Sequence, residues 1–371
     1  MNTLPITVKR AIELIGLFLL GYIFIVGNDI IMPVLMAFFL SIMLLPIFRF
    51  FRAKKFPETL AILIPIILLL LMAALFIWFF SFQVKQLIAD FPQIKENLNT
   101  HLNALSKWIN GFTNFSTAEQ INIIKEQSNK FLKNTGNILS GVLGSVSGFV
   151  IFFGLLPIYI YLILFYKNLL LKFVIMWFDK KDISKVEGGL KDIEEIIKSY
   201  LIGLLIQISY ITILLGGTLW IIGIKHALLI GVLFALLNLI PYVGALVGNI
   251  MGVLLTISST QETWPIITVV VVIAVVQFLD NNILMPRIVG SKVRINSLSA
   301  IVGIVLAGTF AGISGMFLAL PIIAVLKIIF DRSEGFEKWG VLLGDDRPEK
   351  NPIYVKSFAK KQKKDGVDKS K

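Results

Sequence analysis

The chain has no cysteine among its 371 residues, which excludes disulfides, thiolate metal centres and a cysteine nucleophile. Histidine occurs only as His101 and His226, too few and too far apart in the chain for a histidine-based metal site. No Gly-Lys dipeptide occurs, so the G-x-x-x-x-G-K-[ST] phosphate loop is absent and nucleotide hydrolysis by that route is excluded. Charge is also scarce. Acidic and basic residues make up 16% of the chain, against about a quarter in a soluble domain. No motif calls for a metal or a cofactor.

What is present is hydrocarbon: 56% of residues are hydrophobic and the mean hydropathy is +0.84. It comes in long runs, and Leu60 to Phe80 carries no charge at all. A helix needs about 20 such residues to cross roughly 30 Å of hydrocarbon. The runs are continuous rather than alternating, which selects helices over a β-barrel. Spans are predicted at Ala11–Gly27, Ile30–Phe51, Leu60–Phe82, Ile138–Tyr166, Leu201–Ile224, Ala227–Ser258, Pro265–Met285 and Leu298–Phe330. The first follows Lys9 and Arg10 without a small-residue cleavage site and reads as a retained span, not a signal peptide.

The expected fold class is all-α: a polytopic transmembrane helical bundle with the lipid bilayer as partner, broken or re-entrant helices, and amphipathic extramembrane helices. Four regions follow: the first three spans (1–83), a polar amphipathic loop (84–137), the remaining spans and broken segments (138–330), and a basic, disordered cytoplasmic tail (331–371). In the loop, Leu87, Phe91, Ile94, Leu98, Leu102, Leu105 and Trp108 recur at helical spacing. A second loop helix is expected from Thr117, with Gln120 in the capping-box position. A third, separate amphipathic helix is expected over Asp182–Lys198, with Ile183, Val186, Leu190, Ile193 and Ile197 on one side. Such helices pack on the membrane surface, on each other or on a neighbouring subunit.

The net charge of +12 is dispersed over span flanks and the tail, which is a topology signal and not a nucleic-acid footprint. Lys9 and Arg10, the cluster Arg49, Arg52, Lys54 and Lys55, and the lysines from Lys167 to Lys185 share one side if the first five runs each cross once. That side is the cytoplasm, and both termini belong there. If the last three runs also cross fully, Arg287, Lys292 and Arg294 end up outside, against the rule. Folding Ala227–Ser258 and Leu298–Phe330 back as broken hairpins returns them to the cytoplasm. Each run has a Gly/Pro interruption, Pro241–Gly244 and Gly308–Gly315, and broken helices are favoured in both.

Breaks inside hydrocarbon are tolerated only where protein or a water-filled cavity satisfies the freed backbone groups. In transporters such breaks hold substrate or ion. Candidate path residues are therefore Asn238, Pro241, Tyr242, Gly244, Gly248 and Asn249 in the first interrupted run, and Gly312, Ser314 and Gly315 in the second. Gly244, Gly248 and Gly252 also suit close helix packing. The stretch Gln277 to Arg287 adds Gln277, Asp280, Asn281 and Asn282 to the path. Asp280 is an ionisable group in an apolar run, a ligand or proton-coupled group by one reading. By another it is an interfacial carboxylate paired with Arg287 or Arg294. Pro286, Arg287, Gly290 and Pro321 are structural or gating candidates. Gly312-Ile313-Ser314-Gly315 also resembles the nucleophile motif of rhomboid proteases, but both histidines precede Ser314, unlike the later-helix base of that family.

From Tyr200 onward the chain resembles the autoinducer-2 exporter family of bacterial membrane proteins. The resemblance lies in YLIG (Tyr200–Gly203), ALLIGVLFALLNLIPYVGALVG (Ala227–Gly248), LDNNILMPRIVGSKV (Leu279–Val293) and GISGMFLALPIIAVLK (Gly312–Lys327). Departures are Ile202 and Leu204 where the family has Arg and Gln, Ala245 for a proline, and Asn296-Ser297 for a His-Pro pair. The resemblance implies a bacterial inner-membrane secondary transporter, not an enzyme, assembled as a homo-oligomer, a pentamer. Its cargo would be a small polar solute such as autoinducer-2, or alternatively a monovalent cation, sodium or lithium, exchanged for protons. A third expectation from the residues is a non-transporting oligomeric scaffold with Val84–Asn134 as its partner surface.

Overall fold

The computed structural model describes residues 5–90, 92–94, 96–97, 100–101, 146–240, 243–284, 295–333 and 335–345. The expectations for the helix from Thr117, for most of the 84–137 loop and for the tail beyond Asp345 lie outside these residues. Among the described residues every regular element is helical: α1 (Ile6–Val26), α2 (Asn28–Ala53), α3 (Glu58–Ala89), α4 (Val146–Phe165), α5 (Lys167–Ile175), α6 (Ile183–Ile211), α7 (Ala227–Leu237), α8 (Val243–Ser259), α9 (Trp264–Leu279), α10 (Ser297–Arg332) and α11 (Glu337–Leu343). α6 continues through a wide π-helical turn, Thr212–Gly217, into Thr218–Ile222, and α9 through another, Asp280–Leu284. Lengths and apolarity sufficient to cross a membrane are found in Asn28–Ala53, Glu58–Ala89, Ile183–Ile222, Trp264–Ile283 and Ser297–Arg332, and in the pair Gly154–Phe165 and Lys167–Ile175, bent by 62°.

Local chemistry sets the helix ends. Pro57 precedes α3, and Glu58 in its first turn complements the positive helix terminus. Pro265 sits in the first turn of α9, where a missing N–H costs nothing. The α6 continuation stops at Gly223, which takes the left-handed conformation (φ 88°). The stretch expected as a separate helix over Asp182–Lys198 is instead the first half of α6, continuous with the following span. Ser199 and Tyr200 join the two without a breaker, so the helix runs on. Likewise Leu87 and Ile94 are buried, packed with Ile211, Leu215 and Ile230 in the bundle core.

Cross-links sort the helix ends onto two faces. Arg49 at the end of α2 makes two hydrogen bonds to Glu194 near the start of α6, at 2.6 and 2.9 Å. Arg332 at the end of α10 pairs with Asp192 and donates to the Lys185 carbonyl. These ends define a basic face. On the opposite face Lys225 and His226, before α7, approach Asp90 after α3, and the His101 ring meets the Thr260 carbonyl after α8 at 2.7 Å.

Two segments leave and return to the same face. α7 begins beside Asp90 and α8 ends beside His101, and the chain leaves α7 in a turn at Asn238–Ile240. Gly252 lies against Ile230, Gly248 against Phe234 and Gly244 against Leu237, the nesting of an antiparallel pair. α10, though one helix by length, is also a hairpin. Ala311 (φ −139°, ψ 19°) and Gly312 (φ 58°, ψ −143°) leave helical geometry. Gly303 then lies against Ile323, Gly308 against Met316 and Gly315 against Ala307. Its two ends meet at the basic face, where the Asn296 side chain accepts from the Ser299 amide and donates to the Leu342 and Gly344 carbonyls of the α11 segment. The folded-back alternative therefore describes both runs. The hairpins enter from opposite faces, and Leu239 near the first tip and Ala311 at the second pack on one apolar cluster with Tyr200, Leu204 and Leu318.

Candidate functional site

Asp280 opens the π-helical turn that ends α9, and only 2% of it is exposed. Such a turn opens the backbone ladder by one residue and recurs at functional positions. Three neutral donors converge on the carboxylate. Gln207 Nε2 donates to Oδ2 at 3.1 Å, Asn238 Nδ2 to the same oxygen at 2.9 Å, and the Tyr210 hydroxyl to Oδ1. Gln207 and Tyr210 lie one turn apart on α6, and Asn238 closes α7 at the tip of the first hairpin. One carboxylate thus joins a transmembrane helix, a hairpin tip and the end of a second transmembrane helix. Charge-assisted hydrogen bonds are roughly twice as strong as neutral ones. The cluster makes no ion pair among the described residues; Arg287 and Arg294, its two expected partners, lie outside them. Gln207 Oε1 is buried and finds no donor among the described residues.

The other predicted path residues that are described divide in three. Asn249, Gln277, Asn281 and Asn282 line one groove of about 720 Å³ between α8 and α9, with apolar walls from Ile250, Leu254 and Phe278. Gln277 donates to Asn281 at 3.3 Å and Asn282 to the Phe278 carbonyl at 2.9 Å. Gly244 and Gly248 serve close packing: a methyl on Gly248 would sit 2.7 Å from the Phe234 ring. Gly312, Ser314 and Gly315 form the second hairpin tip and make no hydrogen bond to Asp280. Pro321 is buried in the returning arm of α10. Pro241, Tyr242, Pro286, Arg287 and Gly290 lie outside the described residues.

Ser314 has no hydrogen-bonded base among the described residues. His226 is engaged with Asp90 and His101 with Thr260 on the opposite face. Among the same residues no group of three or more His, Cys, Asp or Glu converges as a metal site.

Sequence reasoning missed Gln207 and Tyr210. The signal was there: Gln207 is the one amide in the apolar run from Tyr200 to Gly217, and Tyr210 follows at i+3, on the same helix face.

A bundle spanning the bilayer, two opposed re-entrant hairpins and a buried carboxylate at one hairpin tip define a polytopic membrane transporter. Comparison with known proteins carries this further: residues 14–335 match the AI-2E family transporter model, and the chain belongs to that family. It is 26% identical to YrrI of Bacillus subtilis (strain 168) over 82% of this chain and 87% of that protein. It is 30% identical to YueF of the same strain, over 82% and 84%. Both names carry a provisional transport assignment. The AI-2 transport protein TqsA of Escherichia coli (strain K12) is 23% identical over 85% of this chain and 90% of that protein.

Proposed function

We propose that this chain is a secondary transporter that exports a small polar solute, an autoinducer-2-like signal or related metabolite, across a bacterial inner membrane. The observation that carries the reading is the Asp280 cluster, where a buried carboxylate holds the tip of one re-entrant hairpin. Neutralising that charge, by a proton or a bound cation, weakens the hydrogen bonds from Gln207, Tyr210 and Asn238 together and releases the tip. Asn249, Gln277, Asn281 and Asn282 supply neutral donors and acceptors along the adjoining groove, the chemistry a hydroxylated solute requires. The basic face is cytoplasmic and carries both termini, in accord with its arginines and lysines. The protein works as a homo-oligomer, a pentamer by family resemblance, and does no covalent chemistry, in keeping with a family of transporters.

A second reading, exchange of sodium or lithium for protons, is favoured by one feature: among the described residues the Asp280 carboxylate meets neutral oxygen- and nitrogen-bearing groups, the surroundings of a carboxylate ligand. Flux in proteoliposomes separates the two. Uptake of a labelled polar signal that falls in Asp280→Asn supports the first. Sodium-driven proton movement that falls in the same variant supports the second. Full activity of Asp280→Asn in both assays overturns the role of the site.

A further inference from the structure

A cavity of about 590 Å³ away from the hairpin tips lies between α2, the α4–α5 bend and the start of α6. Its walls are apolar, from Phe38, Ile42, Leu45, Leu164 and Leu171. Phe38 and Arg49 mark its two ends on α2, about three turns or roughly 16 Å apart. That is about half of the ~30 Å hydrocarbon core, the depth of one leaflet. Phe38, Leu170 and Leu171 are exposed along its edge, so it opens sideways to the bilayer.

The mouth lies at the basic face. Arg49 is neutralised there by its paired hydrogen bonds to Glu194. Lys167 is half-buried, its Nζ 4.0 Å from the centre of the Phe48 ring, and no carboxylate lies within ion-pair reach of it among the described residues. Lys191 is exposed on the other lip and equally unpaired among them. Among the described residues the lining thus sets three cations, Arg49, Lys167 and Lys191, against two carboxylates, Glu187 and the Arg49-bound Glu194, with Glu58 also acting on Lys167 from outside the lining. An ammonium held over an apolar slot calls for a ligand with an anionic head and a hydrocarbon tail.

We propose that this groove binds an anionic phospholipid, with its phosphate on Lys167 and Lys191 and one acyl chain between α2 and α4. The lipid fills the wedge between the start of α6 and the outer helices, bracing the helix that carries Gln207 and Tyr210. The site stands independently of which solute is carried.

The test titrates the detergent-solubilised full-length protein with phosphatidylglycerol and with phosphatidylcholine of identical acyl chains, counting bound lipid by native mass spectrometry. Phosphatidylglycerol is expected to bind at least about tenfold more tightly, a difference well resolved in a titration. Lys167→Gln with Lys191→Gln brings it down to the phosphatidylcholine level. Lys54→Gln with Lys55→Gln, on the same face but outside the groove, keeps the preference. Leu45→Trp, which narrows the slot, weakens both lipids alike. Glycerol phosphate, the head without the tail, fails to compete at millimolar concentration. Equal affinity of the two lipids for the unmodified protein overturns the proposal, as does a preference that survives the Lys167/Lys191 change or full displacement by glycerol phosphate. Should the double variant not stay monodisperse, Lys191→Gln alone, at an exposed position, is expected to lose part of the preference, and an unchanged preference there counts against the site.

Discussion

Asn238 and Asp280 are tied by a 2.9 Å hydrogen bond that crosses from the tip of one re-entrant hairpin to the end of a transmembrane helix. Neither is near the other in sequence, and both are buried. Inside the bundle a carboxylate with donors removed is costly, so the bond fixes the hairpin tip against α9 while Asp280 is charged. Asp280→Asn keeps the shape and removes the charge. A hydrogen bond to a charged group is worth about 1.5–3 kcal/mol, so weakening several should slow flux by at least about tenfold. Proteoliposome flux at matched protein content measures this, and a rate within a factor of about two of the unmodified protein would discard the latch.

Asn238→Leu tests the same contact from the hairpin side. It strips one donor from a buried carboxylate, and the expected loss of stability is about 1–3 kcal/mol. Thermal unfolding in detergent reads it. Combined with Asp280→Asn the cost should be less than the sum of the two single costs, because the partner charge is already gone. Strict additivity would mean the two side chains do not act on each other.

Tyr210→Phe removes only the hydroxyl that donates to Asp280 Oδ1. Its effect should be smaller than that of Asn238→Leu, since the half-buried ring stays packed. If Asp280 works by charge, Tyr210→Phe shifts the pH dependence of flux, while a purely structural tyrosine would alter stability alone. Comparing pH–rate profiles of the two proteins decides.

Much of this architecture was legible in the sequence because its causes are local. Uncharged runs gave the spans, and the misplaced basic cluster at Arg287, Lys292 and Arg294 made sense only with two folded-back segments. The Gly/Pro interruptions marked where the turns fall. Other features were not legible. Nothing in the Asp182–Lys198 pattern says whether its helix stops or continues through Ser199 and Tyr200; that is settled by packing against α2 and α10. Gln207 and Tyr210 looked like incidental polar residues in a span, because a partner that lies 73 positions away in the chain leaves no periodicity behind it. The glycine stripe at Gly244, Gly248 and Gly252 was open to two readings, and close packing accounts for it.

Gly312 turns the second hairpin with φ 58° and ψ −143°. That combination lies beside the region open to glycine almost alone, and a side chain there costs on the order of 1–3 kcal/mol. Open space surrounds the position, so strain and not collision is the cause. Gly312→Ala is expected to lower the unfolding midpoint. Gly217→Ala, equally open but within helical geometry, should leave the midpoint unchanged or raise it slightly. Equal effects in the two would remove the backbone argument for a turn at Gly312.

His226 stands before α7 in the left-handed conformation, its Nε2 3.1 Å from Asp90 Oδ2, with Lys225 on the same carboxylate at 3.0 Å. Burial pushes the His226 ring below its ordinary value of 6.5; Asp90 pulls the other way and Lys225 adds to the lowering. The Lys225 hydrogen bond, with the charges of Lys225 and His226, holds the Asp90 carboxyl below its usual range against burial. A depressed histidine contributes stability in full above about pH 6.5. That stability is lost as pH falls through the folded value, because the unfolded chain takes up the proton first. Asp90 has the same sign, but its loss comes only below about pH 4. Between pH 7 and 5 the unfolding midpoint should therefore drop, with a slope below about 1.4 kcal/mol per pH unit, the limit for one proton. His226→Gln should flatten that window and leave the acid limb below pH 4 in place. A midpoint that falls equally in both proteins would assign the acid sensitivity to another group, and would free the base of the first hairpin from any role in it.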